Sequence, residues 1–363
     1  MNDVEELKRF VVVHARAQGI PRRRYTRILD EIENDGDGAG SWARAWCREA
    51  ERYEAAGRPL DACRHYNMAR FPYVDGPARA AAHERCVAVF DRWRRGAGPI
   101  ERLDLDLDGG RVRCWTTGLS AAEPRPLLLV MGGIVSIKEQ WAPVLLQAHR
   151  LGFAGVVTEM PGVGENTLPY RADGRRMLTG LLDAVAGRAD TGRTYAVALS
   201  FSGHLALDAA ADDDRIRGVI TVGAPVARVF ADPEWQRGLP RVTRDTLAHI
   251  SGVPVDALAA HLRPYELGED RLAAVRVPVA YTASRRDEII PAEDVARLER
   301  CVADTRVVAN DDVHGSPRHT TETRLWIVRS LLRMAGGPAV PSAAVAAAFR
   351  AARLRSRIAR ARA

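Results

Sequence analysis

A chain of 363 residues, 47% of them hydrophobic, is long enough to bury a full core and suggests one large domain with a smaller one beside it. Its formal charge of +7 comes almost entirely from the last 23 residues, PSAAVAAAFRAARLRSRIARARA, which hold six arginines and no acid; the nearly neutral body offers no nucleic-acid surface. The five cysteines (Cys47, Cys63, Cys86, Cys114, Cys301) are odd in number and lack any metal-ligand or CxxC spacing, so reduced structural thiols are expected and no metal or cofactor is implied.

The first apolar run, Phe10 to Val13, is too short to span a bilayer and follows an acidic start, which excludes a signal peptide and places the protein in the cytoplasm. Residues 4 to 97 read as helical throughout, an all-helical domain over 1–97. Trp42, Ala45, Trp46, Ala50 and Tyr53 line one helix face behind Ser41, with Glu49 the one polar interruption. Asp75 is expected to cap the helix that begins near Pro77. The loop ENDGDGAGSW supplies Asp35 and Asp37 at calcium-loop spacing, but Ala39 and Trp46 occupy two ligand positions, so it reads as a turn.

At about residue 98 the periodicity changes. ERLDLDLDGGRVRCWTT alternates on both sides of Gly109-Gly110, a β-hairpin signal. Apolar strands at 126–131, 153–160, 194–200, 217–223, 277–284 and 305–310 then alternate with helical stretches. This predicts an α/β fold over 98–337: a mostly parallel, doubly wound, eight-stranded sheet with helices on both faces. The interruption 224–270 predicts a lid-like helical insertion over the ligand-binding edge, and 338–363 is a basic Ala/Arg-rich tail, read as a solvated or loosely packed helix.

In such a sheet ligands bind beyond the carboxyl ends of the strands. Ser200, in ALSFSG, lies there, and Ala198 and Ser202 provide the small neighbours a nucleophile elbow needs, although GxSxG has lost both glycines. Their replacement predicts a slightly looser turn, with the Ser202 hydroxyl near the site. A serine needs an imidazole to take its proton and an acid to orient that imidazole. Asp287 and His314 each follow a later strand, in the order Ser, Asp, His. Glu288, Asp311 and Asp312 compete for the acid role, and His319 for the base. The Phe201 N–H and an amide of Gly133 or Ile134, after the third strand, would form an oxyanion hole.

The stretches PIERLDLDLDGGRVRCW, MGGIVSIKEQW, EMPGVGEN, ALSFSG, RRDEIIP and VHG, with RFPYVDGPARAAAHERC before them, resemble the FrsA-like branch of the α/β-hydrolases. That branch includes 2,6-dihydroxypseudooxynicotine hydrolase and fungal enzymes that shorten polyketide pigment precursors. The resemblance implies an α/β-hydrolase fold with an N-terminal helical cap closing over Ser200, and a triad of Ser200, Asp287 and His314. It implies cleavage of an ester or of a C–C bond next to a carbonyl in a polyketide-type secondary metabolite.

LDACRHYNMARFPYVDGP is also similar to acetate-eliminating hydrolase-fold enzymes of spirotetronate antibiotic pathways. There His314 would act as base and an exocyclic alkene would form on an acetylated tetronate. Substrate contacts are expected from Tyr66, Arg64 and Arg70 of the cap and from Phe230 and Trp235 of the insertion. The expected partners are a small-molecule substrate, an acyl carrier protein docked on the basic tail, and a second copy in a homodimer. A non-catalytic interaction protein, or an acyl transferase using the same triad, are the competing functions.

Overall fold

β1 (Glu101–Leu107) and β2 (Gly110–Thr117) form the antiparallel hairpin that the alternation predicts, and Gly109 turns the chain at φ +92, where a side chain would be strained. The computed structural model describes residues 2–337 and 339–361. β3 (Pro126–Met131), β4 (Ala154–Thr158), β5 (Asp190–Ala198), β6 (Ile216–Val222), β7 (Val279–Ser284) and β8 (Thr305–Asn310) complete one sheet. Its order is β1-β2-β4-β3-β5-β6-β7-β8, with β2 antiparallel to β4 and every later pairing parallel.

The inner strands are buried almost end to end because helices cover both faces, which is why they read as continuous apolar runs. This is the α/β-hydrolase fold. β5 begins at Asp190, earlier than expected, because Asp190 pairs with Pro126 across a register shift that hides the strand's start from its pattern. β3 lies between β4 and β5, so the chain leaves it in opposite directions and opens a crevice at the strands' carboxyl ends.

The N-terminal region consists of α1 (Val4–Ala17), α2 (Arg22–Asp30), α3 (Trp42–Ala55), α4 (Pro59–Ala69) and α5 (Pro77–Ala97). Trp42, Trp46, Phe71, Leu7 and Val11 form its own core, while Cys63, Cys86, Val89 and Phe90 join the core of the sheet. Phe90 packs on Trp115 of β2 with ring centroids 5.0 Å apart. Glu49 interrupts the apolar face of α3 without penalty, because Arg24 (2.6 Å), Arg27 (2.7 Å) and Arg52 (3.2 Å) neutralise its carboxylate.

Asp75 does not cap α5. Gly76 holds that position, and the Asp75 carboxylate accepts instead from Arg79 and Asn2, each at 3.0 Å. Asp35 of the acidic loop is likewise engaged by Arg79.

The stretch after β6 forms short helices, among them Arg228–Ala231, Pro233–Gly238 and Arg241–Ser251. The tail forms a helix, Ala339–Ala361, and Phe349 is buried against Trp326 of the helix Thr320–Met334, so it is anchored more firmly than a solvated helix would be. Residues 338, 362 and 363, at the two ends of the predicted tail, lie outside the described residues. No helix among the described residues is long and apolar enough to cross a membrane.

Candidate active site

β5 ends at Ala198 and the helix Phe201–Ala210 starts three residues later, leaving Ser200 to make the turn at φ 57, ψ −130. A serine at positive φ costs on the order of 1–3 kcal/mol and persists only where its surroundings hold it. Here the Ser200 N–H donates to Val222 O of β6 (2.9 Å) and the Leu199 N–H to Met131 O of β3 (3.0 Å), pinning the elbow on both sides. Gly203 lets the following helix lie close, since a Cβ there would stand 2.2 Å from Thr221 Oγ1 and 2.7 Å from Ala224 Cβ. Ser202 departs from expectation: its hydroxyl donates to Met131 O (3.0 Å) and Leu199 O (2.9 Å), tightening the turn rather than adding a polar group to the site.

Ser200 Oγ lies 2.9 Å from His314 Nε2, and His314 Nδ1 lies 3.0 Å from both carboxylate oxygens of Asp287. The N–H groups of Ile289 and Ile290 donate to Asp287 Oδ1 and aim the carboxylate. The competing acids are committed elsewhere. Glu288 accepts from the His314 backbone N–H (3.0 Å), Asp311 binds Arg286 (2.9 Å), and Asp312 pairs with the alternative base, His319 (2.9 Å).

Burial works against a charged His314, but the charge and hydrogen bond of Asp287, with Glu288 behind it, outweigh burial and raise its pKa above the ordinary 6.5. A general base must be neutral, so kcat/KM is expected to rise with pH through a midpoint above 6.5, and a midpoint below that value in a pH–rate profile would contradict this electrostatic account.

Gly223, at the end of β6, supports the pair: a Cβ would stand 2.8 Å from His314 Cε1 and 3.1 Å from Nδ1. Gly223→Ala is expected to lower kcat by roughly 10²-fold through displacement of the imidazole, with loss of less than about threefold in steady-state assays arguing that the ring is free to adjust.

The loop after β3 runs directly beside the serine. A Cβ on Gly133 would be 3.0 Å from Ser200 Cβ and 3.4 Å from its Oγ, so only glycine brings backbone this close. Phe201 opens its helix, where an N–H has no intrahelical acceptor. The loop is anchored from behind by a buried charge cluster. Lys138 Nζ meets Glu139 (3.0 Å), Glu159 (3.5 Å) and Glu165 (2.7 Å), and Glu139 also accepts from Trp115 Nε1 (2.8 Å). Burial opposes the Lys138 charge, but the three carboxylates outweigh it and raise its pKa. Burial raises the Glu159 pKa, with Lys138 only partly compensating.

A cavity of about 180 Å³ opens above Ser200 and His314, with Ile134, Leu199, Val222, Ile289 and Ile327 among its apolar walls. The five expected substrate contacts do not line it. Tyr66 donates to Glu54 between the cap helices, and Arg64 pairs with Asp61. Arg70 is buried and holds the β3 loop through Val135 O. Phe230 packs on Phe201, His204 and Tyr265, and the Trp235 indole donates to Ile289 O.

The cap reaches the cavity instead through Phe10, Val13, His14 and Ala17 of α1 and through Phe71, and the insertion reaches it through Val242 and Thr243. α1 sits on the histidine loop itself, since a Cβ on Gly315 would meet Val13 Cγ1 at 3.2 Å. No motif marks these positions. The one available signal is a histidine on the otherwise apolar face of α1.

A family profile described as FrsA-like esterase matches residues 36–312. Esterase FrsA of Vibrio vulnificus is 22% identical over 279 residues, covering 70% of this chain and 67% of that protein. Among solved structures, AbyA5 is similar at 54% identity and TM-score 0.93, over 96% of this chain and 99% of that one. The 2,6-dihydroxy-pseudo-oxynicotine hydrolase shares the fold at 18% identity and TM-score 0.69, over 88% and 96%. By the span of that profile and the sheet, elbow and cap just described, the chain belongs to the FrsA-like esterase family of α/β-hydrolases.

Proposed function

We propose that the protein cleaves an ester, or a C–C bond next to a carbonyl, in a polyketide-type secondary metabolite, with Ser200 as nucleophile, His314 as base and Asp287 as its orienting acid. The observation that carries this reading is the continuous contact of Ser200 Oγ, His314 and Asp287, at 2.9 and 3.0 Å, on a serine held at positive φ. Oγ would attack the carbonyl as its proton passes to His314 Nε2, and the negative oxygen would be met by the Phe201 N–H and an amide of Gly133 or Ile134. His314 would return the proton to the leaving group, and water would release the acyl group from Ser200. A fluorophosphonate is expected to label Ser200 stoichiometrically, with no labelling of Ser200→Ala by intact-mass measurement. An unlabelled wild-type protein would count against nucleophilic catalysis.

The apolar surroundings of Ser200 favour a second reading, elimination of acetate from an acetylated tetronate, because that reaction needs no water in the cavity. His314 would take a C–H proton, the electron pair would form the alkene, and acetate would depart with the C–O bonding pair.

A further inference from the structure

α1 and the short helix Lys138–Trp141 place two polar side chains, His14 and Gln140, on the same cavity as Ser200, and the reaction proposed above uses neither. A chain of buried hydrogen bonds sets the orientation of Gln140. The Arg70 guanidinium can only donate, and its Nε bonds Asn67 Oδ1 (2.9 Å). The Asn67 carboxamide nitrogen therefore faces Gln140 and donates to its Oε1 (3.3 Å). That leaves Gln140 Nε2, a buried donor with no partner among the described residues. Buried donors without acceptors are rare in folded proteins, and one on a ligand-sized cavity is matched when the ligand arrives.

His14 packs beside Phe71 with ring centroids 5.3 Å apart and the two rings tilted by 45°. Burial, then the charges of Arg70 and His314, push its pKa down to about 3, so the ring is neutral near pH 7 and keeps one nitrogen lone pair as an acceptor. Trp141 Nε1 and Thr323 Oγ1, on the same cavity, also lack partners among the described residues.

We infer that His14 and Gln140 form a specificity site for one hydroxyl or enol oxygen on an otherwise apolar substrate, which donates its proton to the His14 ring and accepts from Gln140 Nε2. The walls take the hydrocarbon, and this pair selects molecules that carry the oxygen at the matching distance from the reacting carbonyl. The inference rests on the reading of the cavity as the substrate site. It is indifferent to whether Ser200 or His314 performs the chemistry.

The test is binding of unreactive probes to the full-length protein by titration calorimetry: a medium-chain methyl ketone, and a series with a single hydroxyl moved along its chain. The wild-type protein is expected to bind one member of the hydroxyl series roughly 10- to 100-fold tighter than the parent ketone, the range set by one well-matched buried hydrogen-bonding group. His14→Phe and Gln140→Leu are each expected to bring that ratio close to one. The two residues lie on different elements, so a variant that fails to fold, seen by its melting curve, leaves the other to decide.

A wild-type protein that binds every ketone alike, or a preference that survives both substitutions, overturns the inference. Failure of the hydrolytic reading would show separately, as an unlabelled Ser200 and no turnover of the corresponding esters, without altering the ketone affinities.

Discussion

Replacing His314 by alanine is expected to lower kcat/KM by about 10⁴- to 10⁶-fold, because every proton the proposed reaction moves passes through its Nε2. Ser200→Ala separates the two chemistries. In covalent hydrolysis it costs about as much as His314→Ala, and the double variant is scarcely worse than either, because the residues act as a unit. In elimination the serine is only a hydrogen-bonding neighbour of the base, 2.9 Å away, and its removal should cost no more than about tenfold. Steady-state rates of the three variants on one substrate decide the matter. Nearly full activity in His314→Ala would rule out both reactions.

The second large effect concerns stability. Lys138→Met removes the only ammonium from a cluster that holds Glu139, Glu159 and Glu165, of which Glu139 and Glu159 are almost fully buried. Glu165 keeps Arg113, but Glu139 and Glu159 lose their cationic partner. Breaking a buried pair from one side costs about 3–5 kcal/mol, because the remaining charge is stranded in a poor solvent.

The sign with pH follows from Glu159, whose pKa already lies above the ordinary carboxylate value of 4.5 and would rise further without Lys138. A carboxyl raised in the folded state destabilises only when the pH exceeds its unfolded value, and the cost grows until the folded value is passed. Wild type already bears the part of this cost that accrues up to its own folded value of about 7, so the deficit relative to wild type is expected to be nearly constant below that pH and to grow above it, measured by denaturant titration on both sides of neutrality. A deficit that is flat with pH would mean that packing around the Lys138 stem, rather than charge, holds the loop.

Gly133 should respond in a different way from Lys138. Gly133→Ala is expected to leave the melting temperature within a few degrees while slowing fluorophosphonate labelling of Ser200 by roughly tenfold or more, since its methyl would press on Ser200 at 3.0 Å. Equal labelling rates would show that the loop can move aside.

Much of the site is legible in the sequence. Strands buried on both faces announce themselves as apolar runs, and a parallel sheet puts the residues after them on one edge. Strand order therefore places Ser200, Asp287 and His314 on one edge of the sheet, together with the rivals Glu288, Asp311, Asp312 and His319. The hairpin was legible for a similar reason, because the alternation around Gly109-Gly110 has a single physical solution.

The five cap and insertion residues expected at the substrate are aromatics and arginines, types that fill cores and form ion pairs as readily as they meet ligands. They turned out to pack or to pair where they stand: Tyr66 with Glu54, Arg64 with Asp61, and Arg70 with the loop at Val135. Periodicity reports that a face is buried. It does not report against what.

By itself, then, the sequence determined the class of fold, the helical region ahead of it, and the chemical types at the strand ends, because each follows from local spacing and from the single face a strand or helix must bury. Only the tertiary structure decided which polar groups share the cavity. His14 and Gln140 lie more than a hundred residues apart and meet because α1 is laid on the loop that carries His314. Contacts of that kind arise from the packing of whole elements, and no short-range pattern encodes them.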